Sequence, residues 1–243
     1  MNSEPSVARF DLSPRRDEPL LRFVTLAEGL TVQSVDRRRF GSITVDLASS
    51  SILRRAAQGR GGLLAKAILP APGKPMPLVW DVTAGLGRDA MTLALLGCEV
   101  VAFERNPFLG MLILDGHRRA KAEEGDVGVA ARRITVRIED ARRALERVDQ
   151  EEARPDAILV DPMFPEGKGR AAVKKEAALL RALVAEGHNS EQDAELFTLA
   201  LQMATWRVAV KRSLRAPNIV ENPAPQATFT GKSVRIDRYS CSS

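Results

Sequence analysis

The chain has 243 residues, 44% hydrophobic and 28% charged, with 36 Lys and Arg against 31 Asp and Glu for a formal charge of +5. These are globular values that suit one large α/β domain, or one domain with a small appendage. No run approaches the roughly 18 apolar residues of a spanning helix, and the polar start MNSEPSVARFDLSPRRDEP has no apolar signal region; the expectation is a cytoplasmic protein with no membrane partner.

Residues 1–75 hold two short β-like pieces, LRFVTLAEG and GSITVDLA, and a basic stretch, SSSILRRAAQGRGGLLAKAI. The proline-rich turn LPAPGKPMP, residues 69–77, closes this zone. The chain is therefore divided into an N-terminal basic element, 1–75, and a main domain, 76–243. From PLVWDVT onward, strands and helices alternate. GLGRDAMTLALLG has helical apolar spacing and stops at Gly97. EVVAFERN is the second strand, and PFLGMLILDGHRRAKAE is a helix that Pro107 can open at its first turn. RITVRIED, PDAILVDP and WRVAVKR read as further strands. ARRALERV, AAVKKEAALLRALVAEG and EQDAELFTLALQMA read as helices, and ATFT and SVRIDRY are β-like pieces near the end. Such alternation implies a parallel sheet covered on both faces, with ligands outside the carboxyl ends of the strands.

Cys98 lies in an apolar stretch and reads as a small core residue; Cys241 lies in the terminal tail. Neither has metal spacing, so no zinc site, other metal site or disulfide framework is expected. His117 and His188 have no obvious partners and read as solvated helix-end residues. The excess of positive charge is mostly arginine, which binds phosphate bidentately and stacks on bases; it suits a nucleic-acid partner or a basic, arginine-rich proteome, and charge alone does not decide between them.

The polar motifs fall at strand ends. After the first strand comes DVTAGLGRDA, residues 81–90, with Gly85 and Gly87 in the strand-to-helix turn. The second strand ends at Glu104, about twenty residues beyond the glycines, where a carboxylate can accept from both ribose hydroxyls of an adenosine ligand. The alternative is an exposed helix cap. The spacing G-L-G-R-D-A also admits a dinucleotide, but Asp89 would set a negative charge where pyrophosphate sits. A zwitterionic amino acid bearing a sulfonium tolerates that charge better, and Asp81 can face its ammonium group. The cofactor read from these residues is S-adenosyl-L-methionine. At the third strand end, Asp140 or the Ala141 amide can contact the adenine, or Asp140 can cap the helix that follows.

The fourth strand delivers Asp161, Pro162, Met163, Phe164 and Pro165. A nucleobase amine is a poor nucleophile because its lone pair is delocalised. The Asp161 carboxylate and Pro162 carbonyl can accept from its two N–H groups and aim the lone pair at an electrophile, while Phe164 offers a face for a flipped base. In the basic stretch, Arg54, Arg55, Arg60 and Lys66, joined by Arg37, Arg38 and Arg39, form a candidate RNA-facing element over residues 34–66. Lys168 and Lys174, with Arg170 and Lys175, can extend it.

In order, DVTAGLGRDA, FERNP, VDPMFP, AAVKKE and RVAVKR resemble the RsmJ family, and the likeness covers roughly residues 30–240. It implies a Rossmann-like class I methyltransferase fold: α/β, with a mostly parallel seven-stranded sheet, helices on both faces and a small N-terminal α+β element. It also implies methyl transfer from S-adenosylmethionine to the N2 of one guanine near the 3′ end of 16S rRNA, with that RNA or the small ribosomal subunit as partner. Donor contacts are implied at Arg88 and Asp89, Glu104 and Arg105, Asp140 and Ala141, and Asp161. The chain departs from the family at Asp140 and Ala141, where serines are usual, and at Ser213, where a proline is. Other readings of the same residues are methylation of adenine N6 or of a protein glutamine, and a non-catalytic RNA-binding module.

Overall fold

The structure, a computed structural model, describes residues 7–8, 21–34, 41–147, 153–162, 179–180 and 190–241. It opens with an antiparallel sheet of β1 (Val7–Ala8), β2 (Leu21–Leu26), β3 (Gly29–Ser34) and β4 (Ser42–Thr44), in that spatial order. The sequence predicts β2 and β4 but not β3. The two-residue connection between Leu26 and Gly29 is Ala27–Glu28, without the Asn-Gly or Asp-Gly signal that marks a hairpin. Next come α1 (Ser50–Ala56), a 3-10 turn (Gly59–Gly61) and α2 (Leu63–Ile68).

The second sheet contains β5 (Leu78–Asp81), β6 (Glu99–Phe103), β7 (Ile134–Arg137), β8 (Ala157–Val160), β9 (Arg207–Ser213), β10 (Ala227–Thr230) and β11 (Val234–Ser240). Its spatial order is β10-β11-β9-β8-β5-β6-β7. From β7 across to β9 the strands are parallel, and β11 is antiparallel to both its neighbours. The helices between strands are α3 (Arg88–Leu95), α4 (Pro107–Ala122), α5 (Gly125–Arg132), α6 (Ala141–Glu146) and α7 (Ser190–Met203). This is the α/β architecture expected, with seven strands. Of the helix expected over 171–187, only 179–180 lie within the described residues.

The order of strands fixes where a ligand can sit. The chain runs from β5 out to β6 and β7, then returns to the other side of β5 as β8. The switch point is therefore between β5 and β8, and its crevice lies beyond Asp81 and Val160. Both faces of the sheet are covered, so β8 is an unbroken apolar run, Ala157–Val160, with no exposed residue. Strand alternation divides the core. Val79, Ala157, Leu159 and Ala209 pack with α2, α3 and α4 on one face; Trp80, Ile158, Val208 and Val210 pack with α6 and α7 on the other.

The core on the first face continues through Phe23, Val32 and Ile43 of the N-terminal sheet, so the residues on either side of position 75 share one hydrophobic cluster. Phe23 stacks on Phe108 of α4 at 5.6 Å. Asp115 of α4 accepts from the Leu30 amide at 2.9 Å and from Arg119 Nε at 2.9 Å, and Arg119 reaches the Val45 carbonyl. Gly116 permits this approach, because a Cβ there would lie 2.5 Å from Val45 Cγ1 and 2.8 Å from the Val45 oxygen. Gly116→Ala is therefore expected to destabilise the fold by about 1–3 kcal/mol, read as a lower denaturant midpoint. An unchanged midpoint would contradict this docking.

Asn106 caps α4, its side chain accepting from the Phe108 and Leu109 amides with Pro107 at the first helical position, as expected of that proline. Helix α5 is not predicted from sequence; its eight residues include two glycines and two valines, all poor helix formers. The expectation for His117 is corrected. It is a buried residue of α4, and its ring Nε2 lies 2.8 Å from the Ala131 carbonyl of α5, with burial lowering its pKa. Cys98 is fully buried, as expected, and burial pushes its thiol up to about 12.

Candidate methyl-transfer site

The turn leaving β5 is shaped by two glycines. Gly85 has φ +57° and Gly87 φ +70°, a region closed to most side chains, and Gly87 stands at the start of α3. Glu104, leaving the next strand, fixes this turn from the side. One carboxylate oxygen accepts from the Gly85 amide at 2.9 Å and the other from the Asn106 amide at 2.7 Å. Glu104 is only 8% exposed. It is not an exposed helix cap; Asn106 fills that role for α4.

Two clefts open at the carboxyl ends of the strands. The first has Phe103, Leu109, Ala141 and Leu196 on apolar walls, with Glu104, Arg105 and Asp140 among its polar ones. Asp140 caps α6, accepting from the Arg142 amide at 3.0 Å, and is paired with the Arg142 guanidinium at 2.6 Å. That guanidinium holds the Asp140 carboxyl below the usual carboxylate range. Arg142 also reaches Glu195 of α7 at 3.0 Å, and Arg105 reaches Gln192 at 3.1 Å, so two arginines tie α7 to this cleft. Apolar walls with acceptors on one side suit a nucleoside.

The second cleft is lined by Asp81 at the end of β5, by Gly85, Arg88 and Asp89 from the glycine turn and α3, and by Arg55 and Lys211 from outside it. The clefts meet at Thr83 and Asp161, which line both. Asp161 follows β8 directly. Its amide donates to Thr83 Oγ1 at 2.6 Å, its carboxylate Oδ2 accepts from Lys211 Nζ at 2.6 Å, and its side chain is 30% exposed. Pro162, behind it, is buried. Phe164, Lys168 and Lys174 lie outside the described residues, as do Met163, Pro165, Arg170, Lys175 and Arg37 to Arg39.

Charge in the second cleft is organised around Asp89. Expected to face a ligand directly, this residue is 7% exposed and is paired with Arg55 and, at 2.9 Å, with Lys211. Burial would raise its pKa, but Lys211 and Arg55 outweigh burial and hold it at about 2. Asp81, 1% exposed, accepts from the Thr83 amide at 3.2 Å; burial, reinforced by Asp89, pushes it well above the carboxylate range. Burial likewise raises Asp161, against the pull of Lys211. The cleft thus combines both signs of charge, as an amino acid zwitterion requires.

The basic residues divide. Arg55, expected to face RNA, is bound into this carboxylate cluster by Asp89. Arg54 and Lys66 are exposed on α1 and α2; Arg60 is exposed but donates to the Pro70 carbonyl. The sequence does not single out Lys211 or Thr83. The signal for Lys211 is a charge interrupting the apolar run of RVAVKRS, and strand parity places it with Ala209 on the α3 face. Among the described residues no group of His, Cys, Asp and Glu could hold a metal ion, and no helix is long and apolar enough to cross a membrane.

Comparison with known proteins agrees with this geometry. Residues 6–241 match a family described as "Putative SAM-dependent methyltransferase". The chain is 39% identical over 233 residues to ribosomal RNA small subunit methyltransferase J of Neisseria meningitidis serogroup C, covering 96% of this chain and 90% of the relative. It is 38% identical over 214 residues to the protein of that name from Dechloromonas aromatica, covering 87% and 84%. The crystal structure of a SAM-dependent methyltransferase from Neisseria gonorrhoeae superposes with a TM-score of 0.70 at 30% identity, covering 94% of this chain and 86% of that one. Matched across nearly its whole length, the chain belongs to the ribosomal RNA small subunit methyltransferase J family of S-adenosylmethionine-dependent methyltransferases.

Proposed function

We propose that this protein transfers a methyl group from S-adenosylmethionine to the exocyclic amine of one guanine in small-subunit ribosomal RNA. The observation that carries the reading is the position of Asp161, a partly exposed carboxylate at the junction of a cleft with apolar walls and a charged one. Bound there, the donor supplies an electrophilic methyl on a positively charged sulfur.

The residues present fit such a donor. Glu104 accepts from the Gly85 and Asn106 amides, and its carboxylate lines the cleft in which ribose hydroxyls would lie. Arg105, Asp140 and Ala141 stand where the adenine would lie. In the second cleft Asp81 meets the ammonium group, whose charge favours the ionised form that burial opposes. Gly85 and Gly87 let the backbone approach, and Arg88 and Asp89 complete the wall.

At the junction, the Asp161 carboxylate and the Pro162 carbonyl accept from the two N–H groups of the target amine and turn its lone pair outward. The amine nitrogen forms the new N–C bond as the C–S bond breaks, and the nitrogen, now acidic, releases a proton to solvent. No dedicated base is needed, and the rate comes from positioning and electrostatics. Phe164 is assigned the stacking face for the flipped base.

The substrate assignment is supported by the names of the relatives, by the net positive charge and by Arg54 on α1, Arg60 in the 3-10 turn and Lys66 on α2, all three exposed. We assign residues 1–75, with Lys168 and Lys174, to RNA contact, residues 76–243 to catalysis, and the cytoplasm as the place of action. Guanine rather than adenine rests on the likeness of DVTAGLGRDA and VDPMFP to the family. Incubation with labelled donor and, separately, small subunits, naked rRNA, DNA and protein tests this. Label is expected in small-subunit RNA. Label only in DNA or protein would overturn the reading, and RNA binding without any transfer would make the chain a non-catalytic module.

A further inference from the structure

Lys211 is a charged residue inside the sheet. Its strand, β9, is paired on one side with β8 and on the other with β11, where Lys211 stands opposite Ile236. Its side chain is only 24% exposed. Such a lysine is retained against a desolvation cost that apolar packing would avoid. Its Nζ bridges two carboxylates that come from different elements, Asp161 after β8 at 2.6 Å and Asp89 of α3 at 2.9 Å.

We propose that Lys211 is a positioning residue for methyl transfer, holding Asp161 as an ionised acceptor in one orientation at the reaction centre. The proposal deepens the reading of Asp161 as the acceptor of the target amine and rests on it.

The geometry gives two reasons. The first is orientation. Asp161 is fixed from both ends, its amide by Thr83 and its Oδ2 by Lys211, which leaves Oδ1 for an incoming N–H. The second is charge. The groups that share the cleft with Asp161 are Asp81 from β5, Asp89 and Arg88 from α3, Arg55 from α1 and Lys211 from β9. One of them, Asp89, is a carboxylate that pushes Asp161 toward its protonated form, as burial does. Arg55 is committed to Asp89, so Lys211 is the cation in direct contact with Asp161 among the described residues. A protonated Asp161 would present a donor where the amine needs an acceptor.

The test is Lys211→Met, with Lys211→Arg as the charge-conserving control. The Asp161 side-chain carbon, labelled with ¹³C, is titrated by NMR in the wild type and both variants, with no substrate present. In Lys211→Met the Asp161 midpoint is expected to rise by at least about one pH unit, as loss of an adjacent opposite charge dictates. The turnover number on small-subunit RNA should fall about 100-fold at neutral pH and recover toward wild type as pH rises past the new midpoint. Lys211→Arg should restore the midpoint and part of the rate. An unmoved midpoint in Lys211→Met overturns the proposal, and so does a loss of rate that is the same at every pH. Failure of the parent reading looks different: the wild type would leave the RNA unmethylated, whatever Asp161 titrates at.

Discussion

Asp161→Ala is expected to cut methyl transfer by about 100- to 1,000-fold, the usual cost of removing one preorganised electrostatic contact from a reacting group. The variant keeps the Pro162 carbonyl and every other donor contact, so a residual rate survives, and the dissociation constant for S-adenosylhomocysteine should stay within a few-fold of wild type. The fold should survive too. Asp161 has its pKa raised by burial, so its ionised form is less favourable in the native state than in the unfolded chain. A raised carboxyl contributes stability only at low pH, below its unfolded pKa, and loses that contribution as pH rises through the folded one. At neutral pH its removal therefore sacrifices no linkage stability, and Lys211 keeps Asp89 as a partner. Turnover on small subunits and thermal unfolding of the same preparation give both readouts. Near-normal turnover would remove Asp161 from the mechanism.

Glu104→Ala is expected to act on the donor instead. The carboxylate holds the Gly85 and Asn106 amides and is almost completely buried. Hydrogen bonds to a charged group contribute about 1.5–3 kcal/mol each, so the turn loses both its anchor and its ribose acceptor. The dissociation constant for S-adenosylhomocysteine should rise about 10- to 100-fold by calorimetry, at about 1.4 kcal/mol per tenfold. Turnover at saturating donor should change far less. A large loss of turnover with unchanged donor affinity would move Glu104 from the donor to the reacting amine.

These two residues were legible in the sequence because each ends an apolar strand with a carboxylate, and in a parallel sheet every such end faces the same crevice. The glycine turn was legible for a similar local reason. Partnerships that span the chain were not. Asp89 could be placed at the start of a helix, but its partners are Arg55, 34 positions earlier, and Lys211, 122 positions later. That is why it appeared to face a ligand alone, and why Arg55 was grouped with the RNA-facing arginines. Lys211 lies inside the predicted strand WRVAVKR, but nothing local to that strand shows that its side chain meets Asp161 and Asp89. His117 carried a signal that was passed over. It stands four residues after Ile113 and three before Ala120, on the buried stripe of α4 with Leu109, Leu112 and Gly116. β3 and α5 lacked local signals altogether; a hairpin without turn residues and a glycine-rich helix form here because the core accepts them.

The central claim is that the carboxylate at the tip of β8 directs a methyl group to a guanine amine. Small subunits from a strain lacking this protein can be incubated with the purified chain and S-adenosylmethionine, and their RNA digested to nucleosides for mass spectrometry. The account predicts N2-methylguanosine in that digest, absent before incubation and formed about 100- to 1,000-fold more slowly with Asp161→Ala. N6-methyladenosine in its place, or methyl groups confined to ribosomal protein, would contradict it.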